Sequence, residues 1–331
     1  MRHGARRSGA AAVAAGGACA RRGGDGVRTN TSARIVMTEA ARAPRSHSYA
    51  VGDITVTVID DGFRKVPVTD NYCLNASAAD MNAALAAAGL EPGYLHNPFQ
   101  PIVVTTGGKR VLIDTGNGES AFAESRGERG NLPGSLATAG MSRDDIDAVV
   151  ISHCHGDHVN GLIAGDGKPA FPHAEVKVPA VEWRFWMDDG EMSRATPGRM
   201  TDLFKNNRRV FDALGRKVTP YEWESEVVPG VTAVGTPGHS IGHTSFVVAS
   251  GSHSVFVLSD VCINNPPLFV AHPWWHTIND QDPVQGEATR RRVLGMLAKD
   301  KMLVQAFHFP YPGTGHIVPD GDGYRFVPMK A

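Results

Sequence analysis

Within the seven residues Ser152, His153, Cys154, His155, Gly156, Asp157 and His158 the chain places three imidazoles and one carboxylate, and no other stretch constrains its fold as strongly. They follow Ala148 to Ile151, which reads as a short buried strand. Alternate residues point the same way in a turn leaving a strand, so His153 and His155 can share one metal while Asp157 and His158 face a second. Two imidazoles and a carboxylate suit Zn, Mn, Fe or Co. Carboxylate-containing sites are typical of hydrolytic metals that keep a position open for water.

The same placement recurs after three other predicted strands. Val231 to Val234 leads into Thr236, Pro237, Gly238 and His239; Ser254 to Leu258 leads into Asp260; Leu303 to Phe307 leads into His308. Open sheets bind ligands at the ends of their strands, so these distant residues can converge on one sheet edge. Further strands are expected around Ile54, Val56 and Val58, at Pro101 to Thr105, Arg110 to Ile113, Val176 to Val178 and Ser245 to Val248. Ser77 and Asp80 form a capping-box pattern opening a helix that Gly89 should end. Thr201 is expected to cap a helix burying Phe204, Val210 and Phe211, and another helix spans about Glu287 to Lys299. A closing hairpin turns at Asp320 to Gly323. The Gly- and charge-rich run from Gly116 to Pro133 has no period and is a candidate binding loop or lid. Strands and helices are interspersed throughout, which gives an α/β class with no break for a second domain.

Composition excludes several partners. The chain has 331 residues with 33 Lys and Arg against 34 Asp and Glu, so no large basic surface exists for nucleic acid. No stretch approaches the ~20 apolar residues of a membrane helix. Cys19, Cys73, Cys154 and Cys262 lie far apart, which speaks against a disulfide framework or a cysteine zinc site. Residues 1–46 are poor in large apolar side chains and read as a disordered leader, with 47–331 as the folded domain. Arg6 and Arg7 ahead of an Ala/Gly stretch weakly resemble an export signal, so a cytoplasmic location is expected, with export as the alternative.

With its ligand pattern HxHxDH, then His239, then Asp260, then His308, the chain from Ser48 onward resembles the metallo-β-lactamase superfamily. The resemblance implies a four-layer αββα sandwich holding two divalent ions, zinc first, with Mn, Fe or Co as alternatives. It implies that His153, His155 and His239 hold one ion, that Asp157, His158 and His308 hold the other, and that Asp260 bridges them. Two divalent ions outweigh the charges of Asp157, Asp260 and a bridging hydroxide, and the residual positive charge stabilises the oxyanion formed when that hydroxide attacks. Asp157 is the candidate for passing a proton to the leaving group. Asp114, after the strand Arg110 to Ile113, matches the aspartate that holds a metal-binding histidine by hydrogen bond. At the second motif the resemblance makes His239, not His243, the ligand. Cys154 should point away from the metals, and Arg290 to Arg292 reads as a solvated helix face. His173, His253, His272, His276 and His316 lack partners at ligand spacing.

Asp260 stands where true β-lactamases use cysteine, which argues against an antibiotic hydrolase. The stretch Phe307 to His316 is similar to acyl-homoserine lactonases and to methyl parathion hydrolase-like phosphotriesterases. Ile263 departs from the lactonases, which often carry a tyrosine three residues after the bridging aspartate. The expected activity is hydrolysis of an ester, lactone or phosphotriester of a small, largely apolar molecule; the alternatives are an acyl-homoserine lactonase specifically, or an iron-dependent persulfide dioxygenase, against which His308 argues. Among the aromatic clusters, Trp186 and Phe309 are the candidate walls of a substrate pocket. The partner is a small molecule, with no nucleic acid and no membrane, and the resemblance favours a homodimer.

Overall fold

Several strands of this chain, among them Ile102–Thr106, Lys109–Ile113, Ala148–Val150 and His253–Ser259, bury both faces, and a sheet built on such strands must be covered on both sides. The computed structural model, which describes residues 43–263 and 266–329, meets the demand with two packed sheets flanked by helices. The chain passes through β1 (Ser46–Val51), β2 (Ile54–Ile59), β3 (Gly62–Pro67), α1 (Ala78–Ala87), β4 (Tyr94–Phe99), β5 (Ile102–Thr106) and β6 (Lys109–Ile113). It continues through α2 (Glu119–Glu124), α3 (Leu132–Thr138), β7 (Ala148–Val150), α4 (Gly156–Val159), β8 (Glu175–Pro179), α5 (Ala180–Met187), α6 (Asp189–Arg194), α7 (Arg199–Ala213) and β9 (Thr219–Tyr221). The second half comprises β10 (Glu226–Val228), β11 (Val231–Gly235), β12 (Thr244–Ser250), β13 (His253–Ser259), α8 (Pro266–Phe269), α9 (Pro283–Asp300), β14 (Leu303–Ala306), β15 (Thr314–Asp320) and β16 (Gly323–Pro328). One sheet runs β1-β2-β5-β6-β7-β8-β9, the other runs in chain order from β10 to β16, and β3 pairs with β4 as a separate ribbon.

Residue parity along each strand sorts the core into three layers. Between the sheets, Val56, Val104, Val111 and Val150 meet Val231, Phe246, Val248 and Val255. The alternate residues Val103, Leu112 and Val149 face outward to Leu136, Trp186, Phe204 and Phe211 of α3, α5 and α7. On the other sheet Phe256, Leu258 and Val304 face outward to Met81, Leu85, Val293 and Leu297 of α1 and α9. The result is the four-layer αββα sandwich. Both sheets run parallel pairs through their middles, β6-β7-β8-β9 and β13-β14, so several strands end on the same edge.

The capping box at Ser77 and Asp80 is present, with both reciprocal bonds made. At α7 the expectation fails: Gly198 takes the cap position, and Thr201 instead donates its hydroxyl to the Gly198 carbonyl from inside the first turn. β3, β4, β9 and β10 show no apolar alternation that periodicity detects. Ordered packing precedes the expected boundary at residue 47, since Arg45 pairs with Asp60 and lies 3.7 Å over the Tyr311 ring. The leader proposed for residues 1–46 otherwise falls outside the described residues.

The Gly116 to Pro133 segment is not a structureless loop, since it contains α2 and opens α3. Asp61 pins both its ends: the carboxylate accepts from the Asn117 backbone N–H at 2.7 Å and from the Leu132 N–H at 2.9 Å. Gly116 has φ +71°, and a Cβ there would come within 2.5 Å of that carboxylate, so only glycine fits. Burial raises the pKa of Asp61 to about 6, against the opposing pull of those hydrogen bonds. Because the folded value lies above the unfolded one, the contribution of Asp61 to stability is fully present below about pH 4 and is lost as pH rises through about 6. Relative to Asp61→Asn, the wild type should therefore lose about 3 kcal/mol across that window and nothing more above it, as read by urea unfolding at stepped pH.

Candidate metal centre

All seven predicted ligands sit in turns that leave strands or just inside a short helix that follows one. β7 delivers His153 and His155, α4 carries Asp157 and His158, β11 leads to His239, β13 to Asp260 and β14 to His308. Their donor atoms converge in three overlapping groups: His153, His155 and His239; His153, His158 and Asp260; Asp157, His158 and His308. His153 Nε2 lies 3.1 Å from His155 Nδ1, which lies 2.9 Å from His239 Nε2. Asp260 Oδ2 is 3.2 Å from His239 Nε2 and 3.1 Å from His308 Nε2, while its Oδ1 faces His158 Nε2 at 3.4 Å. Asp157 Oδ2 stands 3.5 Å from His308 Nε2 and 3.8 Å from His158 Nε2. Asp260 thus touches both groups.

Separations of this size are what metal binding requires, since four ligand atoms about 2.1 Å from a tetrahedral ion lie about 3.4 Å from one another. Without a cation the same spacing leaves polar atoms stranded: His158 Nε2 and Asp260 Oδ1 are buried with no hydrogen-bond partner. Buried polar atoms are rarely left so, and a shared electrophile satisfies them. The donor set therefore fits divalent metal ions.

Outer partners set which ring nitrogen faces inward. Asp114 Oδ2 accepts from His158 Nδ1 at 2.8 Å and also from the Ser152 hydroxyl, while its Oδ1 takes the Ser152 N–H. The Pro98 carbonyl, contributed by β4, accepts from His308 Nδ1 at 2.8 Å. His243 does not enter the ligand groups; its Nε2 accepts the Asp260 backbone N–H at 2.9 Å, and burial lowers its pKa to about 3, which keeps it a neutral acceptor. Asp114 and Ser259 both adopt left-handed backbone, φ +62° and +47°, so the turns bearing the site are strained and held by these contacts.

A buried relay behind His239 escaped sequence reasoning. His239 Nδ1 meets Asp280 Oδ1 at 2.9 Å, and Asp280 Oδ2 meets Arg290 Nη2 at 2.9 Å. Burial disfavours the His239 cation, but Asp260 and Asp280 outweigh it and push the pKa up to about 9. Opposite influences act on His153 and His155, where burial and neighbouring imidazoles hold both well below the ordinary histidine value. Arg290 is buried, not a solvated surface residue as its place in an arginine run implied: it lies over the Phe269 ring and donates to the Val261 and Trp275 carbonyls. Asp280→Asn should weaken metal binding about 10- to 100-fold by loosening the His239 ring, as read by competition with a chromogenic chelator.

Glu182 on α5 is a second buried carboxylate without a sequence signal. One oxygen accepts the Cys154 N–H and the Trp186 indole N–H, and the other accepts the Ser240 hydroxyl and the Gly242 N–H. It thereby ties the turn of His153 to the turn of His239. Cys154 itself points into the outer apolar layer, as expected from its alternation.

The centre opens into a cleft of about 320 Å³ lined by Arg64, Asn97, Phe99, Arg199, Ile263 and Asn279 among others. The proposed wall residues are elsewhere. Trp186 is fully buried under α7 against Phe204, and Phe309 is fully buried against Phe326 in the opposite outer layer. Phe309 follows His308 by one residue, so strand parity sends it to the other face. Asn117 lines the cleft, which leaves the start of the 116–133 segment beside the site. Among the described residues no helix is long and apolar enough to cross a membrane.

Comparison with known proteins gives a consistent pattern. A sequence profile described as the metallo-beta-lactamase superfamily matches residues 101–319. The N-acyl homoserine lactonase of Bacillus thuringiensis is 27% identical over 206 residues, which covers 57% of this chain and 74% of the relative. N-acyl homoserine lactonase AiiB of Agrobacterium fabrum is 33% identical over 136 residues, 40% of this chain and 46% of the relative. Among solved structures, AidC, described as a dizinc quorum-quenching lactonase, superimposes with TM-score 0.80 at 24% identity, over 87% of this chain and 99% of its own. The hydrolase AbOPH follows with TM-score 0.77 at 22% identity, over 88% and 99%.

Proposed function

The chain belongs to the metallo-beta-lactamase superfamily, and from that membership we propose that it is a dinuclear, zinc-type hydrolase that opens the lactone or cleaves the ester of a small molecule. The observation that carries this reading is the convergence of seven His and Asp side chains around buried, unpartnered donor atoms. The lactone is favoured as substrate because the sequence relatives are described as N-acyl homoserine lactonases.

In this reading His153, His155 and His239 would hold one ion and Asp157, His158 and His308 the other, with Asp260 within reach of both groups. Ions bound there would supply Lewis acidity and a water that is nucleophilic at neutral pH. The chain's own groups do the rest. Asp114, Asp280 and the Pro98 carbonyl fix the rings of His158, His239 and His308, so that each presents Nε2 inward. His243 fixes the backbone that carries Asp260. Asp157 is a quarter exposed at the cleft wall, whereas Asp260 is buried, so Asp157 is the carboxylate placed to move a proton to a departing alkoxide.

The test is turnover by zinc-loaded protein of N-hexanoyl-homoserine lactone, 4-nitrophenyl acetate and an aryl phosphotriester, with Asp260→Asn as the blank. Hydrolysis of the lactone ahead of the others is expected. No turnover of any of the three, or oxygen uptake by a protein holding a single iron, overturns it.

A further inference from the structure

Arg64 and Arg199 reach the same cleft from separate parts of the fold, Arg64 from β3 and Arg199 from the first turn of α7. Both are solvent-accessible, and neither forms an ion pair among the described residues. Arg199 donates to the Asn279 carbonyl at 3.1 Å and to the Ile278 carbonyl at 3.5 Å, contacts that seat its guanidinium while leaving most of its five N–H donors unused. The two carboxylates in the cleft wall, Asp157 and Asp260, are turned to histidines at 3.1 to 3.5 Å. Asparagine amides supply much of the remaining wall, and Phe99, Leu203 and Ile263 are its apolar part.

Asp157 and Asp280 favour the Arg199 cation but neither is paired with its guanidinium, so both arginines keep donors free, and a guanidinium fork is the side chain best matched to a carboxylate. With divalent ions held by the adjoining His and Asp groups, the cleft would carry a net positive charge and favour anions still more strongly. We propose that the substrate carries a carboxylate, or a group of equal charge, in addition to its scissile ester or lactone bond, and that Arg64 and Arg199 receive it. The proposal rests on the hydrolase reading above and narrows it: a neutral acyl-homoserine lactone would leave the free donors of both guanidinium groups without an anionic partner.

Matched esters test it. Zinc-loaded protein is assayed with mono-4-nitrophenyl glutarate and with 4-nitrophenyl pentanoate, which share a leaving group and chain length but differ by one carboxylate. The glutarate ester should be favoured about tenfold or more in kcat/KM, chiefly through KM. In Arg199→Ala and Arg64→Ala that ratio should fall towards one, and Arg199→Lys should restore part of it. Equal use of the two esters by wild type, or a ratio untouched by both alanine variants, overturns the proposal. Calorimetry with free glutarate separates its failure from that of the hydrolase reading. If neither ester turns over, glutarate binding that Arg199→Ala abolishes sustains the anion site while the hydrolase reading fails, and absence of glutarate binding ends the anion site too.

Discussion

Asp260→Asn should lower kcat/KM for the best ester or lactone by about a thousandfold or more, equivalent to about 4 kcal/mol of transition-state stabilisation, while the protein stays folded. Asparagine has nearly the same shape, so the buried site is not emptied. What changes is the lone pairs. Both oxygens of Asp260 face the imidazoles, Oδ2 towards His239 and His308 and the unpartnered Oδ1 towards His158, and an amide nitrogen has no lone pair to offer a cation. In the wild type the carboxylate is held well below its ordinary pKa: burial opposes ionisation, but His308 and His158 overcome it. The variant should also retain fewer than two zinc ions per chain by elemental analysis, with an unchanged circular dichroism spectrum. Full activity with two ions bound would show that Asp260 does not span the centre.

Glu182→Ala should have the largest effect on stability. Removing this carboxylate strands four buried donors at once, from Cys154, Trp186, Ser240 and Gly242. At about 1 kcal/mol or more for each unsatisfied donor, the loss is about 4 kcal/mol or greater, comparable with much of the total stability of a domain. Glu182→Gln retains one carbonyl oxygen but turns an NH2 group against two of the donors, so about half the loss should remain. Chemical denaturation measures both, and a loss under about 1 kcal/mol for the alanine variant would mean that the surrounding donors find other partners.

The fold was legible wherever burial imposed a period. Val56, Val104, Val111 and Val255 alternate with residues of the outer layers, and that parity defines sheets, layers and strand ends together. The seven candidate ligands were legible for the same reason, because each lies within a few residues of such an end. The supporting groups were not. Glu182 sits among charged and aromatic residues of α5 and looks like a solvent-facing acid until Ser240 and Gly242 are brought to it from the other half of the chain. Asp280 lies in an irregular stretch, and Arg290 in a run of three arginines, where only tertiary contact separates a buried cation from exposed ones. Trp186 and Phe309 fail in the opposite sense: nearness in sequence to a motif places a residue near it in space but not on its face. β3 and β4, which bring Arg64, Asn97 and Phe99 to the cleft, are held chiefly by each other.

His153, His155, Asp157 and His158 come from the sheet built by the first half of the chain, and His239, Asp260 and His308 from the sheet built by the second. A cation bound by both sets is bound by the folded chain and hardly at all by the unfolded one, so its free concentration acts directly on the folding equilibrium. At a thousand times the dissociation constant, a single such site contributes about 4 kcal/mol. The melting temperature should then rise with the free metal concentration, and stripping the metal should cost the chain stability as well as turnover.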